Sequence, residues 1–471
     1  MPTSSWADVT LDIAPRSHLA PVAQGAEVPM RIAILGDFGG RANGGAAGIR
    51  PPIEVDRDNF DAVMAQLRVE AQIPVAGAIH FRDLDDFHPD YLYSTLDMFS
   101  GLREAGGAAS GPQPSAPAER ASEPPKLGLN GLLDQAIEET AGRAEGRRPE
   151  TTDDFQLWLR ERVAPHLQPG EDPAAAARRA LIEQAATIQM RALLHFPAFQ
   201  ALEAAWRLLL FLVRRIETGE ALKLYLIDVS KDELAGDLGR SADWRESIIG
   251  RTLLESAGSV GGNPWSLLTG NYTFGPSADD LNLLARLGTM AASLGAPWLA
   301  GADPGLTREP ADPGWAALRR NPVARWIGLA WPRFLLRLPY GKDTDACERF
   351  GFEEMPDPAE HERYLWGNPA FACTALLAES FGEHGWAFRP GMHLNLGGLP
   401  LDVRSHEGEK RAQPCAEFHM SEAAADNILE SGIMPLASLK DTDEVRLVRF
   451  QSIAFPAAAL AGRWGAGATS A

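Results

Sequence analysis

Three prolines divide the densest apolar run of the chain and restrict what it can become. Between Asn321 and Thr344 (NPVARWIGLAWPRFLLRLPYGKDT) lie Trp326, Ile327, Leu329, Trp331, Phe334, Leu335, Leu336, Leu338 and Tyr340, broken by Pro322, Pro332 and Pro339. Each proline removes a backbone donor and clashes with the preceding turn, so one continuous helix is excluded. The stretches between prolines are too short and too charged to cross a membrane. The run therefore predicts a short buried strand around Trp326 to Trp331, then a tight connection into a turn at Tyr340-Gly341. Arg325, Arg333 and Arg337 interrupt it, and arginines in an apolar setting must meet carboxylates or carbonyls. The competing reading of the same arginines is a basic active-site loop.

The flanking sequence alternates strand and helix patterns, which predicts an α/β fold of mixed β-sheets flanked by helices. Met30 to Leu35, Ile53 to Val55 and Ala78 to Phe81 read as strands. Asp58 or Asn59 caps a helix whose apolar face is Phe60, Val63, Met64 and Leu67. Pro89 suits a first helical position, and Leu92, Leu96, Phe99 and Leu102 repeat at helical spacing. Leu127 to Glu139 forms a short amphipathic pattern, and residues 155 to 218 are strongly helical. LKLYLIDVSKDEL reads as strand into helix. Further strands are expected at Trp265 to Thr269, Pro297 to Ala302, Cys415 to His419, Met434 to Leu439 and Val445 to Phe450. Helices fall between them at Ser277 to Leu294, Ala370 to Gly385 and Glu422 to Ser431, and the tail from Ala457 is expected to fray. The segment GGAASGPQPSAPAERASEPPK is a linker by composition. It divides the chain into residues 1–105, a linker at 106–126, a helical region at 127–220 and an α/β region at 221–471.

A net charge of -19 over 471 residues argues against nucleic acid or an anionic membrane surface as a partner. Cys347, Cys373 and Cys415 are scattered without CxxC spacing, which excludes a disulfide framework and suits a reducing compartment. The N-terminus lacks the basic start and apolar run of a signal peptide. These features together predict a cytoplasmic protein.

Catalytic and ligand-binding motifs do not assemble. GxSxG, HExxH, Walker and CxxC patterns are absent. The glycines after Leu35 lack phosphate-loop spacing and read as a turn or loop. Gly341-Lys342 has Leu336 where a P-loop needs its first glycine. Asp56, Asp58 and Asp61 lack the glycine and terminal glutamate of a calcium loop. Asp85, Asp86, His88 and Asp90 read as helix caps. No cofactor or metal is expected. An enzyme reading falls back on Asp228 and Lys231 at a strand end, without a nucleophile, base and oxyanion donor around them.

Longer strings carry a resemblance. VDRDNFDAVMAQL and RDLDDFHPDYL, with the preceding strand and glycine loop, resemble the small subunit of the type VI secretion contractile sheath over about Met30 to Glu104. From Leu127 onward the chain is similar to the large sheath subunit. The similarity rests on HFPAFQALEAAWRLLLFLVRR, LYLIDVSKDELAGDL, PWSLLTGNYTFGPSADDLNLL, RWIGLAWPRFLLRLPYGKDTD, YLWGNPAFACTALLAESF and CAEFHMSEAAADNILESGIMPL. The resemblance implies a structural protein, not an enzyme, with both sheath parts fused on one chain at high effective concentration. Its implied partners are other sheath subunits or copies of itself, an inner-tube protein, baseplate components and a sheath-recycling ATPase. Large subunits of this family continue well beyond a strand such as Val445 to Phe450, so a non-contractile adaptor or baseplate-side cap is the second expectation. The assembly and core positions expected are Asp56, Arg57, Asp58, Asn59, Phe60, Trp326, Trp331, Arg333, Arg337 and Tyr340. Trp331→Asp is expected to abolish folding or assembly.

Overall fold

A computed structural model describes residues 28–40, 49–109, 173–258, 263–308, 312–356, 360–406 and 409–464. They divide between two compact units, one drawn from Met1–Phe99 and Thr187–Ala471, the other from Ser100–Ala186. The expected helix at Leu127 to Glu139, residues 110–126 of the linker and residues 155–172 lie outside the described residues, while residues 106–109, expected as the start of the linker, instead close a helix that begins at Ser100.

The described strands are β1 (Met30–Gly36), β2 (Ile53–Val55), β3 (Val69–Ile73), β4 (Gly77–Phe81), β5 (Leu222–Asp228), β6 (Leu267–Phe274), β7 (Trp298–Ala302) and β8 (Ile327–Trp331). They continue with β9 (Phe334–Leu335), β10 (Trp366–Gly367), β11 (Asn395–Leu396), β12 (Val403–His406), β13 (Glu409–Ala412), β14 (Met434–Ser438) and β15 (Val445–Leu447). The helices are α1 (Phe60–Leu67), α2 (Pro89–Thr95), α3 (Ser100–Ala109), α4 (Pro173–Leu194), α5 (Pro197–Arg215), α6 (Lys231–Gly239) and α7 (Ile248–Gly258). After them come α8 (Ala278–Leu294), α9 (Pro313–Arg320), α10 (Pro369–His384) and α11 (Glu422–Glu430).

Nine strands form one sheet in the order β11-β15-β14-β8-β7-β6-β1-β5-β2. Its centre is parallel: β1 pairs with both β5 and β6, β7 joins β6 to β8, and β14 follows β8. The edges β2, β15 and β11 run antiparallel. Every residue of β1 and β7 is buried, as expected for parallel strands covered on both faces. This is the α/β fold of mixed sheet and flanking helices that the alternation predicts. The core collects Leu35, Ile227, Trp265, Leu284, Trp298 and Leu329 around the parallel strands.

Local signals account for many boundaries. Ser230 and Glu233 form a reciprocal capping box at the start of α6. Ser277 caps α8, and Gly295, in the left-handed region at φ 65°, ends it. In α1 the buried residues are Phe60, Val63, Met64 and Leu67, the face read from the sequence.

Several expectations need correction. Leu92 to Leu102 is not one helix: α2 ends at Thr95 and a 3₁₀ turn spans Asp97–Phe99. The Ser94 and Thr95 hydroxyls donate to the carbonyls of Asp90 and Tyr91, offering the backbone a competing geometry. Cys415 to His419 is not a strand, because its ladder pairing is a single isolated bridge from Ala416 to Phe334 of the two-residue β9. β15 stops at Leu447, short of Phe450. The described tail does not fray: Leu460 and Trp464 are buried, and the Ala461 N–H donates to the Arg325 carbonyl at 2.7 Å.

Candidate structural site: a seam built around one helix

The strands from residues 30–55 are completed by strands that begin 167 residues after β2 ends, and one helix lies behind that seam. α5 begins at Pro197 in the first helical position and ends with Arg214 and Arg215. Its Trp206 is fully buried and donates its indole N–H to the Phe38 carbonyl at 2.9 Å. The same ring meets Phe38 and Phe60 edge-on, each at a centroid distance of 5.6 Å. Two turns earlier, Phe199 packs edge-on against Phe81 and Phe87 at 5.9 and 5.5 Å. Such pairs add to the area they bury.

Polar contacts fasten the same seam. Arg31, on β1, is buried between the rings of Tyr225 and Trp265, with its guanidinium carbon 4.7 and 4.1 Å from their centroids. It donates to the Ser256 carbonyl and hydroxyl at 3.1 and 2.8 Å, and to the Asn263 carbonyl. At the sheet edge, Glu54 accepts from Lys223 and Tyr225 at 3.0 and 3.2 Å. Asp90 accepts the backbone N–H groups of Glu348 and Arg349 at 2.9 and 3.0 Å.

The next turn of α5 enters a buried charge cluster. Glu203 is fully buried and accepts from Arg337 twice, Nε to Oε1 at 2.7 Å and Nη2 to Oε2 at 3.2 Å. Arg337 also donates to Glu354 at 2.6 and 3.1 Å and to the Leu338 carbonyl at 3.1 Å. Arg207 donates to Glu203 at 2.7 Å and to the Tyr340 hydroxyl at 3.0 Å. The Tyr340 N–H donates to Glu354 at 2.8 Å, and His195 lies 3.5 Å from the same carboxylate. Burial alone would raise the Glu354 pKa, but Arg337 and these hydrogen bonds hold it down at about 2. Burial likewise opposes ionisation of Glu203, and Arg337 with Arg207 keeps its pKa below the ordinary value. Burial works against the Arg337 cation, but Glu203 and Glu354 outweigh it, so the guanidinium stays charged. The Tyr340 phenol is pushed up to about 12 by burial. Both charge signs are paired and hydrogen-bonded, the condition under which burying them is tolerable.

The residues singled out from the sequence fall into three places. Asp56 to Phe60 form the turn into α1. Asp56 accepts the Asp58 and Asn59 amides at 2.9 Å each, while Asn59 bonds Asp56 N–H and the Glu54 carbonyl rather than capping the helix. Arg57 reaches the Arg214 carbonyl at 2.9 Å, Asp58 is exposed, and Phe60 enters the aromatic seam. Arg337 and Tyr340 lie in the charge cluster. Trp326, Trp331 and Arg333 lie elsewhere: Trp326 closes the 3₁₀ turn before β8, and Trp331, half-buried at its end, stacks on Phe418 at 5.3 Å. Arg333 forms a surface pair with Glu417 through a 2.9 Å Nε bond. Sequence reasoning missed Glu203, Glu354 and Arg207, while Trp206 follows from the apolar face of α5 that the sequence places with Phe199 and Leu202. The available signal was Glu203 on the apolar stripe of α5, one turn from Arg207.

Asp228 and Lys231 are engaged in structural contacts. Asp228 accepts the Phe38 and Gly39 N–H groups, both at 3.0 Å, and so fixes the loop after β1. In that loop Gly40 has φ 75°, and a side chain there would strike the Glu70 carbonyl. Lys231 pairs with Asp280 at 2.6 Å and donates to the Thr273 carbonyl at 2.7 Å. The three thiols are buried or half-buried, which raises Cys347 and Cys373 to about 12 and Cys415 to about 11. Among the described residues no single helix is long and apolar enough to cross a membrane.

Two sequence regions thus complete one sheet across a buried aromatic seam and paired buried charges. Residues 177–310 and 306–454 match the family described as EvpB/VC_A0108, tail sheath N-terminal domain. Residues 12–106 match the family described as Type VI secretion system, VipA, VC_A0107 or Hcp2. The chain is 34% identical over 303 residues to the type VI secretion system sheath protein TssC1 of Pseudomonas aeruginosa, covering 59% of this chain and 61% of that protein. The chain therefore belongs to the type VI secretion tail-sheath family and carries small- and large-subunit regions together.

Proposed function

We propose that this chain is a structural component of a type VI contractile sheath or sheath-like assembly, packing around or capping an inner tube. The carrying observation is that β1 and β2, from the small-subunit region, lie in one sheet with β5 and β6 of the large-subunit region. One polypeptide thus supplies, in fixed ratio, the unit that separate small and large subunits would build by association. Its partners on this reading are copies of itself or other sheath subunits, with an inner-tube protein inside, and its place of action is the cytoplasm. Repeated heterologous contacts between such units generate a helical tube.

Negative-stain microscopy of the purified chain tests this, alone and with inner-tube protein and separate sheath subunits from the same cell. Tubes formed by the chain alone identify a sheath subunit. Binding restricted to tube ends identifies a cap or baseplate-side adaptor. A monomer that binds none of these components overturns the proposal.

A further inference from the structure

At one end of the nine-stranded sheet, the end of α10 and the turn before edge strand β11 bring together Glu383, His384 and His393. One ligand atom from each lies within 4.8 Å of the others. The Glu383 carboxylate is 3.1 Å from His393 Nε2 and 3.8 Å from His384 Nε2. Donors bound to one tetrahedral zinc at about 2.0–2.2 Å stand about 3.3–3.6 Å apart, so side-chain rotations close this set on an ion.

The surroundings fix the backbone that carries the three exposed or half-buried side chains. Gly385, at φ 54°, stops α10 directly after His384. Phe388 then anchors the return: it is fully buried and packs near Phe381 and Trp464 at 6.1 and 5.6 Å. Trp386 donates to the Val28 carbonyl at 2.6 Å. The turn at Arg389 to Met392 delivers His393 against the helix end. Carbonyls at a helix C-terminus favour a cation. Glu379, one turn earlier, adds negative charge, partly offset by Arg215 at 4.0 Å.

We infer that Glu383, His384 and His393 form a binding site for a divalent transition metal such as Zn²⁺, with water completing the coordination. Two imidazoles and one carboxylate favour zinc, nickel or copper over magnesium or calcium. The ion would tie α10 to the turn that precedes β11, fastening one edge of the nine-stranded sheet.

The test is calorimetric titration of the full chain with Zn²⁺ at neutral pH, for the natural sequence and for His384→Ala and His393→Ala. Circular dichroism checks that each exposed-site variant keeps its fold. The expected result is one zinc per chain, weakened about tenfold or more in both variants. Zinc affinity unchanged in either variant overturns the site, as does failure of the natural chain to bind zinc at about 100-fold excess.

Discussion

Arg337 and Glu203 meet in the protein interior through two parallel hydrogen bonds, 2.7 and 3.2 Å long, although 134 residues separate them in sequence. The arginine comes from the proline-broken apolar run and the glutamate from α5. Their pairing therefore joins the most constrained segment of the chain to the helix that also carries the seam tryptophan.

Replacing Arg337 by methionine should remove that link, leaving Glu354 without its arginine and Glu203 with Arg207 as its remaining cation. Breaking a buried pair in this way costs about 3–5 kcal/mol. Urea denaturation measures it, and a change below about 1 kcal/mol would show that the cluster contributes little.

The same carboxylates set an acid limit. Both are held below the unfolded glutamate value of about 4.3, Glu354 down to about 2. Their contribution is fully present above the unfolded value and is lost as pH falls through the folded ones. Melting temperature should fall steeply between about pH 4.3 and 2, and Glu354→Gln should flatten that slope while lowering stability at pH 7.

At the seam, Trp206→Phe keeps an aromatic ring but leaves the Phe38 carbonyl without its indole donor, an expected loss of about 1–3 kcal/mol. Trp206→Ala adds a cavity and should cost about 3–5 kcal/mol. Chemical denaturation of both variants should preserve that order.

Asp228→Asn weakens the charge-assisted acceptor for Phe38 and Gly39. The expected effect is a stability loss of about 1–3 kcal/mol. Hydrogen exchange should locate faster opening at the amides of Phe38 and Gly39.

Trp331 is half-buried against Phe418, itself 47% exposed, at the end of β8. Trp331→Asp should therefore leave the chain folded, with a loss of about 1–3 kcal/mol, because only part of the ring leaves an apolar contact. Circular dichroism decides the folding question, and microscopy of the soluble variant then reads its effect on assembly.

Much of this architecture follows from sequence alone. Proline spacing confined β8 to five residues, a 3.6-residue period placed the buried face of α1, and serine caps fixed the starts of α6 and α8, because these signals act within a turn or two of the residue that carries them. The arginines of the apolar run announced that they needed partners. Which carboxylates answered was decided only in three dimensions, since Glu203 and Glu354 reach Arg337 from distant segments and no local pattern encodes that approach. The position of β1 between β5 and β6, and the burial of the Leu460–Trp464 segment, arose the same way. Each depends on strands or surfaces that compete for one place in the core, and that competition is settled by the whole packed structure rather than by any stretch of it.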